Sequence, residues 1–103
     1  MAATPLTDVE ITNALAELPG WAFEDNALTA GFTADRTLLP QLYVAVAAAE
    51  DDADHHARVS ILYGTISFAL NTHDAGDVVT AKDTAMAARI SAIAADHQAR
   101  PVG

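Results

Sequence analysis

The run "TISFALNT", residues 65–72, limits the fold more than any other stretch of the chain. Ile66, Phe68 and Leu70 alternate with Thr65, Ser67 and Asn71, so an extended chain here has one apolar and one polar face. A strand of that kind belongs to a sheet covered on one side, which suits antiparallel pairing. "RVSILY" precedes it directly and Gly64 stands between them, so the two runs read as a hairpin. "WAFEDNALTAGF" repeats the theme upstream. Trp21 and Phe23 share one face, Leu28, Ala30 and Phe32 share one after the turn, and Asp25-Asn26 make the turn.

Helical spacing separates the hairpins. "TDVE" at 7–10 fits a capping box, followed by Ile11, Leu15 and Leu18 on one stripe and a stop at Pro19-Gly20. Leu39, Leu42, Tyr43 and Val46 predict a second helix from about Thr37 to Glu50, with Pro40 tolerated in its first turn. "TAKD" at 80–83 opens a third helix that runs to about Ala95, with a thin stripe of Met86, Ile90 and Ile93. "HQARPVG" is expected to be a tail. The order α-β-β-α-β-β-α predicts an α+β fold in a single domain over residues 1–103: a four-stranded antiparallel sheet with three helices on one face.

Hydrophobic residues make up 51% of the 103, but alanine supplies much of that figure and fills little volume. The expected core rests on Trp21, Phe23, Phe32, Tyr43, Tyr63, Phe68 and the aliphatic residues. A core this small, with strand edges that carry no lysine, points to self-association, at least as a dimer. Five Lys plus Arg stand against 14 Asp plus Glu, a formal net charge of −9, which argues against nucleic acid and anionic membranes as partners. There is no cysteine, so thiolate catalysis and thiolate metal sites are excluded. No signal peptide and no membrane span is read, and a cytoplasmic protein acting on a small molecule or a protein partner is expected.

The stretch "EDDADHHARVSILY" at 50–63 carries the chemistry. Glu50, Asp51, Asp52 and Asp54 end the second helix, where negative charge is unfavourable, and run into His55 and His56. Nearby carboxylates raise the pKa of an imidazole, which brings it toward neutrality for proton transfer. His73 ends the last strand beside Asp74, which is placed to orient it, and the fold can bring all three imidazoles together. The plainer alternative is a solvated acidic loop with two solvent histidines and Asp74 as a turn former. A calcium loop fails on spacing, because a start at Asp52 puts Ala57 and Tyr63 where glycine and glutamate are needed. Adjacent residues on an extended chain point apart, so His55 and His56 do not easily share a metal ion, and none is expected. No elbow motif supports a serine nucleophile.

These residues resemble the pterin-4a-carbinolamine dehydratase family. The resemblance lies in Asp51, His55-His56, Ala57, Tyr63, Thr72-His73-Asp74 and Asp83, with "LPGW" at 18–21 near the start. It covers nearly the whole chain. Ala57 stands where proline is usual, and Asp77 where a second glycine is common. The resemblance implies dehydration of 4a-hydroxytetrahydropterin to quinonoid dihydropterin, in support of pterin recycling after aromatic amino acid hydroxylation, without a cofactor. It implies His56 as the acid near the hydroxyl, His55 and His73 on the base side, and Asp51, Asp54, Thr72, Asp74 and Asp83 in support, with Trp21 edging the pocket. The resemblance further implies a homodimer or homotetramer, and a second class of function: a non-catalytic protein-binding module, of the transcription-factor dimerisation or Rubisco assembly type. The presence of all three histidines favours the enzyme.

Overall fold

Both hairpins form where the alternation places them in the computed structural model, which describes residues 3–102. β1 (Ala22–Glu24) and β2 (Ala27–Thr33) turn through Asp25 and Asn26, both left-handed at φ 51° and 61°. Short polar side chains tolerate that conformation. β3 (Arg58–Leu62) and β4 (Thr65–Leu70) turn through Tyr63 and Gly64. The Ala34 N–H donates to the Gly64 carbonyl at 3.0 Å, and a Cβ on Gly64 would lie 2.9 Å from the Ala34 oxygen, so glycine is required by close approach.

β2 and β4 pair from Leu28↔Leu70 to Thr33↔Thr65, which makes them the central strands in the order β1-β2-β4-β3. That register puts Leu28, Ala30 and Phe32 on the same face as Ile66, Phe68 and Leu70, and all six are buried. The opposite face, including Thr29, Gly31, Thr65, Ser67 and Ala69, lines an open hollow of about 510 Å³. One covered face is thus what the period-two pattern encodes.

Three helices supply the cover. α1 (Asp8–Ala16) starts at the Thr7/Glu10 capping box, and α3 (Ala81–Asp96) at a second box of Thr80 and Asp83. α2 (Leu39–Ala53) follows a 3-10 turn, Arg36–Leu38, and runs three residues beyond the predicted end at Glu50. The acidic run is therefore the last turn of a helix and not a loop, with Asp54 as a left-handed cap at φ 49°. Leu42, Val46, Met86 and Ile90 are buried between helices and sheet. Phe32 anchors this layer, its ring edge-on to Trp21 and Phe68 at centroid distances of 6.3 and 6.1 Å.

Two expectations fail here. Phe23, Tyr43 and Tyr63 are not core residues: Phe23 and Tyr43 are each 39% exposed and Tyr63 is 78% exposed. Tyr63 occupies a hairpin turn, and Tyr43 faces outward from α2 above Ile61. The tail is ordered as well. His97 and Gln98 end α3, Gln98 turns back at φ 61°, and β5 (Arg100–Pro101) pairs with Phe32–Thr33 of β2. This fifth strand continues the edge that β1 occupies at Ala27–Thr29. It is too short, and too near a proline, to announce itself by periodicity. Among the described residues, no helix is long and apolar enough to cross a membrane.

Gly20 makes room for β5. It sits at φ 88°, and a Cβ there would fall 2.7 Å from Cβ of Pro101. Gly20→Ala combines left-handed strain with that clash and is expected to cost about 1–3 kcal/mol. The check is denaturant unfolding with the slope held constant; an unchanged midpoint would mean that β5 gives way freely.

Candidate functional site

Asp83 is the centre of the arrangement. As the third residue of α3 it accepts the Thr80 N–H on Oδ2 at 2.8 Å, the ordinary work of a capping box. It is also wholly buried, and its remaining bonds leave the helix. The Thr72 hydroxyl donates to Oδ2 at 2.8 Å, and His55 Nε2–H donates to Oδ1 at 2.5 Å. Thr72 has its one proton engaged with Asp83, so the 2.7 Å contact between Thr72 and Thr80 hydroxyls has Thr80 as donor. Residues 5–6 close the cluster from outside, with Leu6 N–H donating to the Val79 carbonyl. Among the described residues, no buried side-chain polar atom lacks a partner.

The histidine loop hangs from this point and from the end of α2. Asp54 turns the chain out of the helix, and His55 N–H still donates to the Glu50 carbonyl at 3.0 Å. His55 then points inward, its side chain 10% exposed. His56 points the other way, as adjacent residues on an extended chain must, and its Nε2–H donates to Asp51 Oδ1 at 3.0 Å. That bond is the main reason its pKa is raised; desolvation opposes it, and the charges of Glu50, Asp51 and Asp54 each add a smaller push upward.

His73 is not the end of a strand. It opens a 3-10 turn, His73–Ala75, inside a loop closed by Thr72 N–H to the Val78 carbonyl at 2.8 Å. Gly76 and Asp77 are both left-handed, at φ 95° and 59°, and this reversal carries the Asp77 carboxylate back to His73 Nδ1–H at 2.8 Å. Asp77, and not Asp74, is therefore the orienting group. Its hydrogen bond and charge raise the His73 pKa, with a smaller contribution from Asp74. The extra carboxylate sits where a glycine was expected by resemblance, and it gives His73 a partner that glycine cannot.

One carboxylate thus holds His55 and Thr72, and the other two histidines are the chain neighbours of those residues. The remaining supporting residues divide. Asp54 makes the left-handed cap and touches His56 only through its charge. Trp21 lies elsewhere: it is buried against Phe32, and its Nε1–H donates to Ser91 Oγ at 2.7 Å, roughly 12 Å along α3 from Asp83. It is a core anchor with its polar atom satisfied. Arg89 was missed in the sequence, and Glu50 was named there only as one of four charges. Arg89 of α3 meets the Ala49 carbonyl at 3.5 Å and Asp52 at 3.2 Å, placing a cation at the end of α2 that α2 itself lacks. Glu50 is buried and donates nothing; its Oε2 accepts the Ala57 N–H at 2.6 Å. No group of three or more His, Asp or Glu placed to hold a metal ion occurs among the described residues.

The raised His73 pKa gives a prediction with a definite sign. The folded chain holds this proton more tightly than the unfolded one, so the stabilisation is present below the ordinary value of 6.5 and is lost as pH rises through the raised value. Asp77→Asn keeps a residue that tolerates the left-handed turn. It is expected to return the His73 midpoint, followed by NMR, toward 6.5. A midpoint that stays raised would show that Asp77 is not the cause.

Comparison with known proteins bears on the chain as a whole and on its fold. The family described as "Pterin 4 alpha carbinolamine dehydratase" matches residues 4–93. A Streptomyces coelicolor protein named "Putative pterin-4-alpha-carbinolamine dehydratase" is 36% identical over 100 residues, covering 96% of this chain and 99% of its own. A Mycobacteroides abscessus protein of the same name is 40% identical over 86 residues, covering 82% and 90%. A crystal structure from Brucella melitensis, described as a transcriptional coactivator/pterin dehydratase, superposes with a TM-score of 0.83 at 31% identity, covering 88% of this chain and 99% of that one. By sequence and by fold, the chain belongs to the pterin-4-alpha-carbinolamine dehydratase family.

Proposed function

We propose that the chain dehydrates 4a-hydroxytetrahydropterin to quinonoid dihydropterin and water, by histidine acid/base catalysis alone, and so returns pterin to use after aromatic amino acid hydroxylation. The observation that carries this reading is the Asp83 carboxylate, which ties His55 to Thr72 beside His73. The reaction needs a proton on the departing 4a-oxygen and the loss of one from ring N5. In this reading His56 gives the first, because its bond to Asp51 keeps more of it protonated near neutral pH. His55 has Nε2–H committed to Asp83, which leaves Nδ1 as the nitrogen to exchange a proton. His73 shares the base side. Its raised pKa makes the neutral ring a stronger acceptor and shifts that form to higher pH. A bell-shaped profile of the rate reports the reacting groups together and not single rings.

A general acid or base of this kind is worth roughly 10²–10⁴-fold. His56→Ala and His73→Ala are each expected to lose activity on that scale while keeping the wild-type circular dichroism, and a strong chelator is expected to change nothing. The measurement is the rate of 4a-hydroxypterin dehydration above the spontaneous rate. Wild-type protein that does not exceed the spontaneous rate would end the enzyme reading. It would favour a protein-binding role, the second reading, which the word "coactivator" in the Brucella description supports.

Self-association belongs to the same proposal. β3 is an edge strand, with Ile61 and Leu62 exposed on it, Tyr63 exposed in the turn that follows, and Tyr43 of α2 beside Ile61. An open, apolar edge without lysine is suited to a second copy. Light scattering at micromolar protein and moderate salt is expected to give at least twice the 10.7 kDa chain mass. A mass of one chain would overturn this.

A further inference from the structure

Glu50 is the one carboxylate of the acidic run that turns away from solvent. It is 3% exposed, while Asp51, Asp52 and Asp54 are open. A buried carboxylate is costly unless its bonds compensate, and the end of a helix adds to that cost. Neither consideration explains its presence, and no step of the reaction above uses it. What Glu50 touches is backbone. Its carbonyl accepts from His55 N–H at 3.0 Å, and its Oε2 accepts from Ala57 N–H at 2.6 Å. One residue therefore holds the chain immediately before and immediately after the His55–His56 pair.

Ala57 sharpens the need. Unlike a proline, it brings an N–H into a partly buried loop and leaves its φ free, so the loop requires an acceptor and a restraint. The Glu50 side chain supplies both. Arg89 fixes the same turn from α3 through the Ala49 carbonyl, so the anchor is itself anchored.

We propose that Glu50 is a positioning residue: its buried carboxylate sets the path of residues 55–57, so that one imidazole reaches Asp83 and the next reaches Asp51. The catalytic consequence rests on the dehydratase reading; the positioning does not. Glu50→Ala removes the acceptor. Glu50→Asp keeps the charge but withdraws it by one methylene, and Glu50→Gln keeps an acceptor oxygen at full length.

The test is made on the full chain. Hydrogen exchange at the Ala57 amide is compared with a core amide such as Ile90, alongside kcat and KM for dehydration. Glu50→Ala and Glu50→Asp are each expected to speed Ala57 exchange by at least about tenfold while Ile90 changes little. Each is expected to lower kcat by about tenfold to a hundredfold, the scale of a misplaced catalytic group, with KM nearly constant. Glu50→Gln is expected to restore both to within about threefold of wild type. Should Glu50→Ala not fold, Glu50→Asp alone decides. Wild-type Ala57 protection in Glu50→Asp, or Glu50→Gln as impaired as Glu50→Asp, would overturn the proposal. If wild-type protein shows no dehydration, Ala57 exchange still decides on Glu50, and only the enzyme reading falls.

Discussion

The buried Asp83 carboxylate ties the histidine loop, the end of β4 and the start of α3 to one point. A charge taken out of water costs several kcal/mol unless donors replace the lost hydration. Here the donors come from three separate parts of the chain: Thr80 at the start of α3, Thr72 after β4, and His55 after α2. None is a neighbour of another in sequence, so satisfying one carboxylate fixes the mutual placement of three segments. A protein residue with one job, capping, would sit at the surface. Asp83 is wholly buried because it has a second job.

The sheet and the helices were legible because they obey short-range rules. Strands with one covered face show period two, and Ile66, Phe68 and Leu70 show it without ambiguity. Capping boxes are local in sequence, so both Thr7/Glu10 and Thr80/Asp83 could be read directly or nearly so. The divergence of His55 and His56 was legible for the same reason, since it follows from alternation along one extended segment. What escaped was set by contacts across the fold. Asp74 lies next to His73 in sequence, but the left-handed pair Gly76-Asp77 brings Asp77 to the ring instead. Trp21 was expected in the core and lies there, but the resemblance also set it at the pocket edge, and only the position of Ser91 on α3 shows where its indole N–H is spent. β5 has no pattern of its own, because it exists only by pairing with Phe32–Thr33 and by the space left at Gly20.

The acidic end of α2 shows how a locally unfavourable choice becomes consistent at the level of the fold. Four carboxylates there resemble one charged patch in the sequence, yet each has a different role. Glu50 holds backbone, Asp51 holds His56, Asp52 meets Arg89, and Asp54 turns the chain. The cation missing from the last turn of the helix arrives from α3, where it costs nothing in local pattern. The two helices are thereby clamped at the end where the histidines leave the chain.

That clamp also sets the electrostatic character of the surface around the histidines. Asp51 and Asp54 flank His55-His56, while Asp74 and Asp77 flank His73, and all four are exposed. Their field favours protons on His56 and His73, the direction in which both pKa values move. The same field acts on whatever approaches. Within a screening length of about 8–10 Å at physiological salt, an anionic ligand meets mostly negative charge, whereas a neutral heterocycle meets none of that penalty. For the reaction proposed above, such a surface would hold protons close to His56 and His73 and suit a neutral substrate better than a phosphorylated one.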